Sequence, residues 1–137
     1  MIQLVNDSRS ELILIRALNA LGAIVAAGFA VAATIDPGLV LPGEAATDGA
    51  RFYAQVYAAR ALPLTLVLLV ALGARATPAL VPLLVLAGLV QAVDAALGLV
   101  WHRPSMIVGG GLLAVVHLAS AYRLRPATHR ITVRSTG

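Results

Sequence analysis

The sequence predicts an all-α polytopic membrane protein, an antiparallel bundle of four transmembrane helices. Three observations carry that prediction. Hydrophobic residues make up 60% of the 137 positions and charged residues only 12%, against about 25% charged in an ordinary soluble domain. Mean hydropathy is +0.91, and a soluble fold of this size has too little interior to hide so much apolar surface. Four separate stretches reach the roughly 20 residues needed to cross a hydrocarbon core. They must be helices, because open strands would leave backbone groups unpaired in lipid.

The first span covers residues 12–35 and closes on the turn signal Asp36-Pro37-Gly38. Ala30-Val31-Ala32 resembles a signal-peptidase site, but the segment is long for a signal sequence, and Asp7 and Glu11 accompany Arg9 before it. The expectation is that this helix stays. The second span covers 52–72, after a longer loop carrying Asp36, Glu44 and Asp48. The third covers 78–101, with Thr77-Pro78 as an N-cap and first-turn proline. The fourth covers 105–122, introduced in a similar way by Arg103-Pro104. Spans two and three are joined only by Gly73 to Thr77, and three and four only by His102 to Pro104. Links this tight force antiparallel neighbours. Residues 1–125 thus form one membrane domain, and 126–137 a basic cytoplasmic tail.

All ten basic residues are arginines, and Arg123, Arg125, Arg130 and Arg134 fall in the last fifteen positions. One face of the bilayer displays Arg9, Arg75 and these four; the other displays Arg51 and Arg103. The positive-inside rule then puts both termini in the cytoplasm and the bundle in the inner (plasma) membrane, with the tail near anionic headgroups. Nucleic acid is not an expected partner, because no aromatic residue interleaves the arginines after Tyr122. The absence of cysteine excludes disulfides, thiolate metal sites and cysteine nucleophiles.

Each span carries one ionisable group: Arg16, Arg60, Asp94 and His117 in order. A charge at mid-bilayer costs at least about 2.5–3.5 kcal/mol on insertion scales, so each needs a partner or water. Arg16 lies about one turn inside the boundary and can snorkel. Arg60 sits about 13 Å from the outer end of its helix, Asp94 about 10 Å and His117 about 18 Å. These depths predict an Arg60–Asp94 ion pair, bidentate in geometry, with His117 approaching from below.

Helical spacing lines up Tyr53, Tyr57, Arg60 and Leu64 or Thr65 on the second span. It aligns Gln91, Asp94, Gly98 and Trp101 on the third, and Leu113, His117 and Ser120 on the fourth. Asn19 adds a polar group on the Arg16 face of the first. The faces converge on a polar pocket of Tyr57, Arg60, Gln91, Asp94 and His117. Pro63, lacking an N–H, frees the Ala59 carbonyl beside Arg60. Blander roles are available throughout. Tyr53 and Trp101 suit the interfacial aromatic belt. Gly109-Gly110-Gly111 suits close helix packing, and the ion pair could serve only to fix register. No metal site is expected, since one histidine and one aspartate are too few ligands, and no cofactor is implied.

The stretch from Tyr53 to Leu64, with Arg60 ahead of a leucine-rich run, resembles the small bacterial four-helix membrane proteins of the DUF4267 and DUF4345 type and the wider DoxX-like group. Gln91-Ala92-Val93-Asp94 and His117 extend that resemblance over most of residues 12–122. It implies a four-helix bundle and no particular activity.

Three functions fit these residues. The pocket binds a lipophilic small molecule, and cofactor-free acid–base chemistry (an isomerase, cyclase or hydrolase) is open to it. In that case Asp94 is the general acid or base, Arg60 stabilises charge, and His117 or Tyr57 relays a proton. Tyr57, Gln91, Tyr53, Trp101 and Asn19 are the expected substrate-binding residues. Alternatively, the protein is an accessory or assembly subunit with a purely structural ion pair. The third reading is a component of proton-coupled transport, for which a homo-oligomer is the natural form because four short helices enclose little channel.

Overall fold

The computed structural model describes residues 2–40, 47–74 and 76–125. Five helices follow one another: α1 (Ile2–Ile35), α2 (Pro37–Val40), α3 (Asp48–Gly73), α4 (Thr77–Val100) and α5 (Pro104–Leu124). All but α2 are long and apolar enough to cross a membrane, as Arg9–Ile35, Asp48–Gly73, Pro78–Val100 and Pro104–Leu124. Within the most apolar window of each, only 17% to 28% of residues are buried. Most of the remaining leucines, valines and isoleucines are exposed. In water that surface would drive aggregation; in a bilayer it is the proper exterior. The protein is a multi-pass membrane protein.

The helix ends follow from local chemistry, with some departures from expectation. α1 begins ten residues before Leu12, and Glu11 within it accepts a hydrogen bond from Arg123 of α5 at 2.6 Å. Both side chains are largely exposed, so this pair contributes no more than about 1 kcal/mol. Asp36 does more than end a helix: its Oδ1 accepts from the Gly38 amide at 2.8 Å and caps the short α2 turn. α3 starts four residues ahead of Phe52. Thr47 Oγ1 accepts from the Ala50 amide at 3.2 Å, and Asp48 lies in the first turn, where the helix dipole favours an anion. The cap of α4 is Ala76 rather than Thr77, which places Pro78 one position deeper but still in the first turn, where its missing N–H costs nothing.

The α4–α5 link contains a strained residue. His102 has φ of 52°. Its amide donates to Leu99 and that of Arg103 donates to Gly98, a Schellman closure with His102 in the position usually held by glycine. A side chain there costs roughly 1 kcal/mol. His102→Gly should therefore raise the melting temperature of the purified protein, and an unchanged or lower value would count against this account.

Packing is uneven around the bundle. α4 and α5 form the most intimate pair, α1 and α3 the next, while the two pairs touch each other sparingly. Glycine makes the first contact possible. A Cβ at Gly110 would lie 2.9 Å from the Gln91 carbonyl oxygen and 3.0 Å from the Ala95 nitrogen. One at Gly98 would lie 2.9 Å from the Ile107 nitrogen. Of the glycine triplet only Gly110 packs in this way, for Gly109 and Gly111 would meet nothing within 4 Å. The two pairs join through Leu68, Ala71 and Leu72 of α3 against Leu80, Leu84 and Ala87 of α4, with Ala23 and Ala121 completing the layer. This core sits at the end of the bundle where the α3–α4 link lies. Above it α1 still meets α5, where a Cβ at Gly22 would lie 2.7 Å from the Leu113 side chain, but a gap remains between the pairs on the side of α3 and α4.

Candidate functional site

That separation leaves a cleft of about 90 Å³. All four long helices line it: Ala23 and Ala26 from α1, six residues of α3, four of α4, and His117 from α5. Its floor is the core layer, since Leu68 and Ala87 belong to both. Tyr57, Arg60, Gln91, Asp94 and His117 all face this one space. Leu64 and Thr65 line it together, so the two alternatives for the next position on the α3 track are both present.

The expected ion pair is not formed. No contact within 4.0 Å joins Arg60 to Asp94; among the described residues Arg123 and Glu11 make such a pair. Arg60 is exposed and Asp94 half-buried. They are near enough for their charges to act on each other, with Tyr57 in the field of both. The physical reason is the packing just described: α3 belongs to one pair and α4 to the other, and the cleft intervenes. Pro63 does free the Ala59 carbonyl, yet among the described residues no hydrogen bond from Arg60 reaches it.

Other expected residues stand elsewhere. Tyr53 is 73% exposed and Trp101 is 71% exposed, and neither touches the cleft. Their positions near the ends of α3 and α4 suit the interfacial belt instead. Gly98 lies on the same track as Asp94 but is taken up by the contact with α5.

Asn19 lies behind the cleft wall, completely buried, and joins α1 to α5. Its Nδ2 donates to the Ile15 carbonyl at 2.7 Å and to Ser120 Oγ at 2.7 Å, while its Oδ1 lies 2.7 Å from His117 Nδ1. Sequence reading put Asn19 on a face with Arg16 and missed this network. The available signal was a lone amide in an apolar helix together with a histidine and a serine three residues apart. In lipid such groups seek one another.

The network should show itself energetically. Asn19→Leu removes three hydrogen bonds and strands His117 Nδ1, a loss of about 1–3 kcal/mol. Adding His117→Leu and Ser120→Ala should recover part of it, because no polar atom is then left unpaired. Strict additivity in chemical unfolding would refute the coupling.

The fold and the cleft together define a polytopic four-helix membrane protein with ionisable groups gathered in a gap between its helices. Comparison with protein-family models, curated proteins and solved structures returns no match.

Proposed function

We propose that this protein binds a lipophilic small molecule in the intramembrane cleft, with Asp94 and Arg60 recognising its polar part. One observation supports this most. Six polar or ionisable side chains from three helices line one gap, and the two formal charges among them are not consumed by a contact with each other. A pair kept only to fix helix register would gain from closing, so its open geometry speaks for a ligand. Asp94 and His117 are then the groups available for general acid–base work, and Tyr57 and Gln91 supply both donors and acceptors. The membrane is the inner (plasma) membrane of a bacterium, with both termini on the cytoplasmic side, by the arginine distribution and the DoxX-like resemblance.

The test is extraction of the purified protein followed by mass spectrometry of what it carries. The wild type should retain a lipophile that Asp94→Leu/Arg60→Leu does not, with both proteins helical and comparably stable. If the double variant retains the same material and is equally active in cells, the proposal is lost.

A further inference from the structure

We propose that the deep end of this cleft takes a neutral hydroxyl of a slender lipophile, with His117 Nε2 as acceptor and Asn19 as the positioning residue that sets the ring's tautomer, while Asp94 and Arg60 take another polar group higher on the same ligand. The proposal rests on the cleft being a ligand site and names the ligand's chemical class.

The amide of Asn19 can be oriented without ambiguity. A backbone carbonyl only accepts, so the atom 2.7 Å from Ile15 O is the nitrogen. The Asn19 oxygen must then face His117, and at 2.7 Å an amide oxygen accepts only from a protonated Nδ1. In the neutral ring this leaves the lone pair on Nε2. Nε2 has no partner among the described residues, although His117 is only 2% exposed. No buried side-chain nitrogen or oxygen among them is both sealed off and unpartnered. Nε2 therefore opens on the cleft that the ring lines. An acceptor held there in advance selects a donor.

Position and size narrow the donor. A Cβ at Gly88 would stand 3.4 Å from His117 Cβ, which sets His117 level with Gly88. Asp94 lies six residues further along α4, about 9 Å higher. The charged groups thus sit at the upper level, while Leu64, Thr65, Leu68 and Ala87, with a single neutral hydroxyl among them, line the deep end. A carboxylate or ammonium would pay heavily to lie below Asp94 and Arg60, where the lining offers no countercharge; a hydroxyl need only find one acceptor. The 90 Å³ available is less than the roughly 150 Å³ of a cavity that takes benzene. A linear chain end fits where a ring does not.

The test uses the full chain in lipid nanodiscs at pH 7.5, carrying His102→Gly and His129→Gln so that His117 is the sole histidine, labelled with nitrogen-15. The expected spectrum shows the proton on Nδ1 and a bare Nε2. 1-Decanol should shift the Nε2 resonance, and decyl methyl ether, decanoic acid and decylamine should not. Asn19→Leu should scramble the tautomer and weaken decanol retention about tenfold, the loss of one hydrogen bond. Asn19→Asp keeps an acceptor for Nδ1 and should keep the tautomer. A proton found on Nε2, or an equal response to alcohol and ether, overturns the proposal. So does an Nε2 that no probe moves, as when only water fills the deep end. If Asn19→Leu does not fold, the wild-type tautomer and the alcohol–ether contrast still decide. Should decanoic acid or decylamine bind through Asp94 and Arg60 while decanol leaves Nε2 unmoved, the hydroxyl assignment falls and the cleft remains a lipophile site. If none of the four probes binds, both fall.

Discussion

Asp94→Asn should weaken retention of a cleft-bound lipophile by about tenfold to a hundredfold while leaving the melting temperature of the protein nearly unchanged. The two halves of that expectation have different origins. Asp94 makes no hydrogen bond or ion pair among the described residues that holds a helix in place, and asparagine has nearly its shape. Stability therefore has little to lose. Binding loses a charge-assisted hydrogen bond, worth about 1.5–3 kcal/mol. It also leaves Arg60 facing the gap with no opposing charge nearby. The measurement is competitive retention of the extracted lipophile by the two proteins in the same detergent. A variant that binds normally would remove Asp94 from the site. One that melts far lower would mean the carboxylate serves the fold.

Gly110→Leu should have the largest effect on the fold itself. Even the first carbon of a side chain at that position would stand 2.9 Å from a backbone oxygen of α4, and backbone cannot swing aside as a leucine tip can. Overpacking by a methyl group or two typically costs about 1–3 kcal/mol; four extra carbons against main chain should exceed this and part α4 from α5. Because Gln91 supplies both the opposing carbonyl and part of the cleft wall, ligand retention should fall along with stability. Gly109→Ala is the matching control. Nothing lies within 4 Å of its new Cβ, and alanine is the better helix former by about 1 kcal/mol. Its unfolding midpoint should rise slightly. Similar losses from both substitutions would refute the packing argument.

The four spans were legible because hydropathy summed over about twenty residues leaves only one solvent for them, and because Pro78 and Pro104 punctuate the short links. The convergence of Tyr57, Arg60, Gln91, Asp94 and His117 was legible for a related reason: helical period fixes which residues share a face. What period does not fix is which helices pack tightly. That α3 pairs with α1 and α4 with α5 decides that Arg60 and Asp94 face each other across a gap, and no one-dimensional pattern contains that choice. The same choice brings Asn19 against His117 and Ser120, and turns one glycine of three toward a neighbour. Short signals were readable but passed over. Thr47-Asp48 is an ordinary helix start, and Asp36 ahead of Pro37 caps a turn of helix. Tyr53 and Trp101 lie on the right tracks but too near the helix ends to reach the cleft.

The sparing contact between the two helix pairs has a consequence for supply. Most of the cleft's lining comes from α3 and α4, helices that meet each other sparingly, and an opening between them would look sideways into acyl chains. A guest arriving by that route never crosses water, and its occupancy follows its mole fraction in the surrounding lipid. Diluting the same protein into more bilayer, with total guest held constant, should empty it.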